Sequence, residues 1–287
     1  MPGDPSPVSQ TDQAAAGQGR RRPSRGMYVL PSFFTSINVA AGFYAITESV
    51  RGAGGDRASF DHAAMAIGFA IIFDGVDGRV ARMTDTASDF GRELDSLADV
   101  ITFGVAPALL AYVWGFRMLP ATLSQNLREP LLSLGLLACF AFLICGACRL
   151  ARFNISVNPQ PKNPGRPGRK YFVGMPIPAG AGVIAAVVHG FNGSWIDDWR
   201  ISIVWLLLLL GVGFLMVSSW RFWSGKEVTS EGRRPFQMVV LLALGVGLIL
   251  RFSEVTLMVI ALGYLVSGLF ARLAYSWQRQ RRQDRPA

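Results

Sequence analysis

The sequence predicts an all-α fold, a polytopic transmembrane bundle of about eight helices. Three observations predict it. Of the 287 residues, 51% are hydrophobic and only 16% are charged, against roughly a quarter charged in an average soluble domain. Apolar runs recur at close to the ~20 residues that a helix needs to cross a hydrocarbon core. The basic residues lie between these runs rather than in one patch, so the formal charge of +9 points to anionic lipid headgroups and not to nucleic acid.

The elements follow in order. Residues 1–26 are Pro, Gly, Ser, Gln and Ala, ending in the basic run RRRPSR, and predict a disordered cytoplasmic tail. The apolar run behind it is too long for a signal-peptide core and lacks a clear cleavage site. Residues 27–276 form one membrane domain, and residues 277–287 a second basic cytoplasmic tail. Apolar segments fall at about 28–50, 61–83, 92–116, 131–152, 174–192, 201–220, 235–251 and 254–276. The second and third are broken by charge, and the fifth and seventh are short. The loop 158–170 has four Pro and two Gly, which excludes a helix there.

An even number of spans puts both termini on one side. With the N-terminus in the cytoplasm, the far side holds Arg51, Arg57, Arg117, Arg128, Arg200 and Arg251, six of the 28 Lys and Arg. That bias fits the positive-inside rule and places the acidic stretch at the cytoplasmic ends of the second and third segments. His62 and His189 then sit near far-side ends and are expected to be structural. Cys145 and Cys148 form a C-x-x-C with no partner pair or nearby His, so these two and Cys139 read as reduced apolar residues rather than a zinc set.

The chemistry is concentrated in FDGVDGRVARMTDTASDFGRELDSLADV, Phe73 to Val100, with six Asp and one Glu. Asp74 and Asp77 are three apart, and Asp95 and Asp99 four apart, so each pair shares a helix face. Gly78, Ala81 and Gly91 keep those faces small. A turn near Thr84 to Ser88 would fold the two helices antiparallel and bring four carboxylates together. Clustered anions at membrane depth are costly. Two divalent cations would neutralise them, and an all-carboxylate set suits hard ions such as Mg²⁺ or Mn²⁺. Arg82 and such ions suit a pyrophosphate. Asp85 and Asp89 fall in the turn and read as solvated.

Asp74, Asp77, Gly78, Ala81, Arg82, Gly91, Asp95 and Asp99 fit D-x-x-D-G-x-x-A-R-x8-G-x3-D-x3-D without a departure. This resembles the signature of the CDP-alcohol phosphotransferases, eight fixed positions over 26 residues. The resemblance implies a six-helix core and transfer of a phosphatidyl-type group from a CDP-linked donor to an alcohol, with release of CMP. It implies that Asp74, Asp77, Asp95 and Asp99 hold two divalent metals and that Asp99 is the general base. Gly78, Ala81, Arg82, Ser88 and Gly91 then serve the CDP donor. So do Ser32 and Thr35 of PSFFT, where the family usually has Asn at the position of Ser32. The family also implies a homodimer.

Longer stretches, LPSFFTSINVAAGFYAI, ELDSLADVITFGVAPALLAY, CRLARFN, FVGMPIPAGA and LMVSSWRFWSGKE, are similar to the membrane-type bacterial phosphatidylserine synthase branch. That implies CDP-diacylglycerol and L-serine as substrates, beside membrane lipids. Serine carries a carboxylate, so its site needs a cation. Arg149 and Arg152 lie at the expected cytoplasmic end of the fourth span, and Asn154 adds a hydrogen-bonding group. The alternative for these arginines is anchorage to lipid phosphates. Other alcohols remain open as acceptors: glycerol 3-phosphate, inositol phosphate or choline. A divalent-cation transporter is a more distant alternative, but it expects acids near the midplane in repeated halves, and no second copy of the acidic hairpin occurs.

Overall fold

The computed structural model describes residues 29–84, 89–156, 171–223 and 235–283. Expectations for the tail 1–26, the turn 85–88, the loop 158–170 and residues 284–287 lie outside the described residues. Within them, eight helical rods account for all eight expected apolar segments.

α1 (Val29–Gly52) and α2 (Arg57–Thr84) form the first hairpin. α1 ends at Gly52, which packs directly on the Phe60 ring, where a Cβ would lie 2.5 Å from it. Gly55, at φ +97°, turns the chain through the left-handed region. Asp56 then caps α2: its carboxylate accepts from the Ser59 hydroxyl at 2.8 Å and from the Ala58 N–H at 3.1 Å. The Ser59 hydroxyl, with help from that N–H, holds the Asp56 carboxyl below its ordinary range.

The third rod runs from residue 89 to 117 and is not a uniform α-helix. α3 (Asp89–Asp99) gives way to a wide π turn at Val100–Val105, then α4 (Ala106–Tyr112) and a second π turn at Val113–Arg117. In the first π turn the Ala106 N–H donates to Ile101 O, five residues back. Pro107 follows at once and has no N–H to give the preceding carbonyls. The second π turn is stabilised from outside: the Ser202 hydroxyl donates to Gly115 O at 2.8 Å, and the Trp205 indole N–H to Ala111 O at 3.1 Å.

α5 (Gln125–Ile155) buries a stripe at helical spacing, Leu131, Gly135, Ala138, Phe142, Gly146, Arg149. Its other side exposes Leu134, Leu136, Leu137 and Phe140, a face for lipid. Two three-residue strands, which the apolar pattern does not predict, follow. β1 (Tyr171–Val173) and β2 (Arg221–Trp223) pair antiparallel, with Phe172 opposite Phe222. Between them stand α6 (Ile177–Gly190) and α7 (Trp199–Val217), and α8 (Pro235–Arg251) and α9 (Ser253–Gln283) close the chain.

Five helices are long and apolar enough to cross a membrane on their own: Arg57–Val76, Phe90–Arg117, Gln125–Ile155, Trp199–Val217 and Ser253–Trp277. The chain is a multi-pass membrane protein. α6, with 14 residues, and α8, with 17, are the short pair expected from the sequence. α1 is long but buries Thr35, Asn38, Glu48 and Ser49 among its apolar residues. The core lies where α2, the third rod, α5, α6 and α7 meet, around Phe60, Phe103, Trp114, Phe142 and Leu209.

The histidines lie at the end of the bundle remote from the acidic stretch. His189 Nδ1 lies 2.6 Å from Asp61 Oδ1, and its Nε2 lies 2.9 Å from the Ser253 hydroxyl. One side chain thus ties α2, α6 and α9. His62 approaches Glu48 at 3.9 Å. Cys139 is buried, Cys145 half-buried and Cys148 exposed.

Candidate active site

α2 and α3 bring three of the four expected acids together. Asp74 on α2 and Asp95 and Asp99 on α3 each place a carboxylate oxygen within 4.8 Å of the others. Asp99 is 8% exposed, and the other two are half-buried. Two like charges at that separation repel by about 3.5 kcal/mol at an effective dielectric of about 20. Three such pairs rival the net stability of a typical protein, about 5–15 kcal/mol. A cation held by the three carboxylates would relieve this repulsion. The donors are hard oxygens, with no thiol or imidazole among them, so the set fits a hard divalent cation.

The rest of the family motif continues on the same two helices. Asp77, Gly78, Ala81 and Arg82 belong to α2, but their side chains are outside the described set, as is the whole of Ser88. Gly91 is partly buried on α3, one turn before Asp95. On α1, Thr35 is buried, while the side chain of Ser32 is outside the described set.

The wall behind Asp99 is built by α1 and the first π turn. The Thr102 hydroxyl donates to the Asn38 carbonyl at 3.0 Å. Gly42 lets the two backbones touch, since a Cβ there would lie 2.5 Å from Thr102 Oγ1 and 2.8 Å from Thr102 Cα. Asn38 is fully buried, and its side-chain amide meets no hydrogen-bond partner among the described residues.

α5 supplies the cations, and its two arginines differ. Arg149 is 7% exposed, stacks over the Phe153 ring at 5.3 Å, and sits within the electrostatic reach of Asp99 and of Tyr264 on α9. Arg152 instead donates to Val217 O at 2.9 Å and Ser218 O at 3.3 Å, carbonyls at the C-terminal end of α7. The Asn154 amide donates to the Ser96 hydroxyl at 2.9 Å, which fixes the end of α5 to the helix carrying Asp95 and Asp99. Sequence reasoning missed Ser96, Thr102, Asn38 and Tyr264. Ser96 lies within the acidic motif and was there to be noticed; Tyr264 has no motif around it.

The sequence profile of the CDP-alcohol phosphatidyltransferase family matches residues 28–212. The chain belongs to this family. The match covers α1 to most of α7, so α8 and α9, with Tyr264, lie beyond it. Individual relatives extend further. The chain is 31% identical over 272 residues to the CDP-diacylglycerol–serine O-phosphatidyltransferase of Mycobacterium tuberculosis (strain H37Rv), covering 92% of this chain and 85% of the relative. It is 35% identical over 206 residues to the enzyme of that name from Helicobacter pylori (strain 26695), covering 72% and 76%. It is 34% identical over 198 residues to that of Methanocaldococcus jannaschii, covering 69% and 75%.

Proposed function

We propose that the protein is a phosphatidylserine synthase, transferring the phosphatidyl group of CDP-diacylglycerol to the hydroxyl of L-serine and releasing CMP. The observation that carries this is the gathering of Asp74, Asp95 and Asp99 on α2 and α3, with a buried arginine, Arg149, on the neighbouring α5. Relatives that carry this activity's name in two bacteria and an archaeon support it.

Asp74, Asp77, Asp95 and Asp99 would hold two divalent cations, Mg²⁺ or Mn²⁺. Such ions, when bound, supply positive charge for the donor's pyrophosphate and for departing CMP. Gly78, Ala81, Arg82, Ser88, Gly91, Ser32 and Thr35 are assigned to the CDP donor by the family motif. Asp99 accepts the proton of the serine hydroxyl. The serine oxygen bonds to the phosphorus that bears diacylglycerol, the bond from that phosphorus to the CMP oxygen breaks, and CMP leaves with the electron pair. The burial of Asp99 keeps bulk water from competing with the alcohol. Arg149 pairs with the serine carboxylate and so sets the hydroxyl against Asp99.

A phosphorylated acceptor such as glycerol 3-phosphate asks for a second strong cation. Arg152 is already committed to two carbonyls, which favours serine over such acceptors. The cytoplasmic orientation rests on the basic residues. CMP release by the purified protein with CDP-diacylglycerol, Mg²⁺ or Mn²⁺ and a panel of alcohols tests the assignment. Serine should be preferred; turnover with glycerol 3-phosphate and none with serine would reject it.

A further inference from the structure

Arg149 is buried, and to meet a substrate carboxylate it must keep its charge. A guanidinium is a planar fork of N–H donors, and burying it is costly unless those donors find acceptors. The Phe153 ring, 5.3 Å away, gives the cation a π face but no such acceptor. A carboxylate committed to Arg149 would cancel its charge. A phenol oxygen accepts from the guanidinium and leaves the charge for the substrate.

Tyr264 of α9 is such a phenol, and the packing brings it to this place. α9 begins at the C-terminal end of α6, where Ser253 meets His189 at 2.9 Å and a Cβ on Gly190 would lie 2.9 Å from Met258 Sδ. Eleven residues later, about 16.5 Å along the axis, Tyr264 reaches the other end of the 14-residue α6. There its ring stands 5.6 Å from that of Phe222 on β2, whose partner strand β1 leads into α6. Gly268, one turn on, lets α9 close on the same ring, since a Cβ there would press on it. The start of α6 is also where α5 arrives. Ile177 packs on Gly146, where a Cβ would lie 2.7 Å from Ile177 Cδ1, and Arg149 is one turn beyond Gly146 on the same buried stripe. Tyr264 and Arg149 stand within each other's electrostatic reach.

We propose that Tyr264 is a positioning residue of the acceptor site, its hydroxyl orienting the Arg149 guanidinium towards the alcohol. This rests on the role given to Arg149 above. Tyr264 lies beyond residues 28–212, which match the family profile. The catalytic acids thus belong to the shared core, while part of the choice of alcohol belongs to a helix outside it. The two short strands serve the same end. Phe222 is buried and backs Tyr264, and Arg152 of α5 holds the carbonyls of Val217 and Ser218 just before β2. Through them α9 is tied to the end of α5 that carries Arg149.

The test follows CMP release by the purified full chain with CDP-diacylglycerol, Mn²⁺ and serine. Tyr264→Phe removes the hydroxyl and keeps the ring against Phe222. It should raise the KM for serine by roughly five- to tenfold, the worth of one ordinary hydrogen bond. The kcat, the KM for CDP-diacylglycerol and the melting temperature should stay as they were. Tyr275→Phe, further along α9, should change none of these. The double variant Arg149→Ala/Tyr264→Phe should lose no more affinity for serine than Arg149→Ala alone, because the hydroxyl then has nothing to orient. Losses that add would mean that the hydroxyl acts apart from Arg149 and would overturn the proposal. So would a raised serine KM in Arg149→Ala with none in Tyr264→Phe. A lower melting temperature in Tyr264→Phe, with equal rises in KM for donor and acceptor, would make the hydroxyl merely structural. An unchanged serine KM in Arg149→Ala would instead sink the role given to Arg149, and this inference with it. Preference of the unaltered protein for another alcohol would sink the serine assignment alone, and the same variants would then be compared on that alcohol.

Discussion

Asp99 and its helix mate Asp95 are the same residue type one turn apart, and burial separates them. Asp99 is 8% exposed, while Asp95 is half-buried and closer to solvent. A base must be shielded from water and near the acceptor. Asp99→Asn should therefore cut CMP release at least about a hundredfold, the usual scale of general-base loss. Asp74→Asn should instead weaken Mn²⁺ and donor binding together. Equal losses of Mn²⁺ affinity in both variants, read by calorimetry, would make Asp99 chiefly a ligand. The two arginines allow a second separation. Arg149→Ala should raise the KM for serine by roughly ten- to a hundredfold, the worth of a hydrogen bond to a charged group. Arg152→Ala should lower stability by about 1–2 kcal/mol, because two carbonyls at the end of α7 lose their donor. Serine kinetics and thermal melts on both proteins would read this; a larger serine defect in Arg152→Ala would reverse the assignment.

At the scale of the element, the third rod does more than its apolar pattern announces. The spacing of Asp95 and Asp99 was legible because a helix repeats every 3.6 residues. The π turn directly after Asp99 was not, although Pro107 in TFGVAPA marks the place where regular hydrogen bonding must fail. Its wide turn buries Thr102, Phe103 and Gly104 together and sets Thr102 against Asn38. Gly42 is the complement on α1. Gly42→Ala would force α1 off the π turn, since Thr102 Cα would lie 2.8 Å from the new Cβ, a backbone contact that no rotamer relieves. A loss of about 1–3 kcal/mol, the cost of overpacking, is expected together with reduced turnover. Gly211→Ala on α7 meets nothing within 4 Å and is the control. Equal melting temperatures for the two variants would show that the contact is not structural. Pairings such as Asn154 with Ser96, or Arg152 with the end of α7, join residues far apart in the chain. No periodicity encodes them. The same holds for the β1–β2 pair, three residues a side.

For the whole molecule, the division of basic residues predicts both termini and the acidic hairpin on the cytoplasmic side, with the α1–α2 and α6–α7 turns on the other. The Asp61–His189–Ser253 tie and the Arg57–Trp195 stack, at 4.9 Å, gather at the end opposite to the acidic cluster. Labelling of single cysteines in a background without Cys139, Cys145 and Cys148 decides the orientation. The structure also chooses the sites. Gly193 is unsuitable, because it sits at φ +67° and a Cβ there would press on the Arg57 carbonyl. Asp197, in the same turn, is exposed and tolerates the change. Asp197→Cys should react with an impermeant maleimide added to intact cells, whereas Ser230→Cys, in the basic stretch between β2 and α8, should react only after the membrane is opened. The reverse pattern would place the acids and Arg149 outside the cell, away from any cytoplasmic pool of serine, and the proposed reaction would fail with the topology.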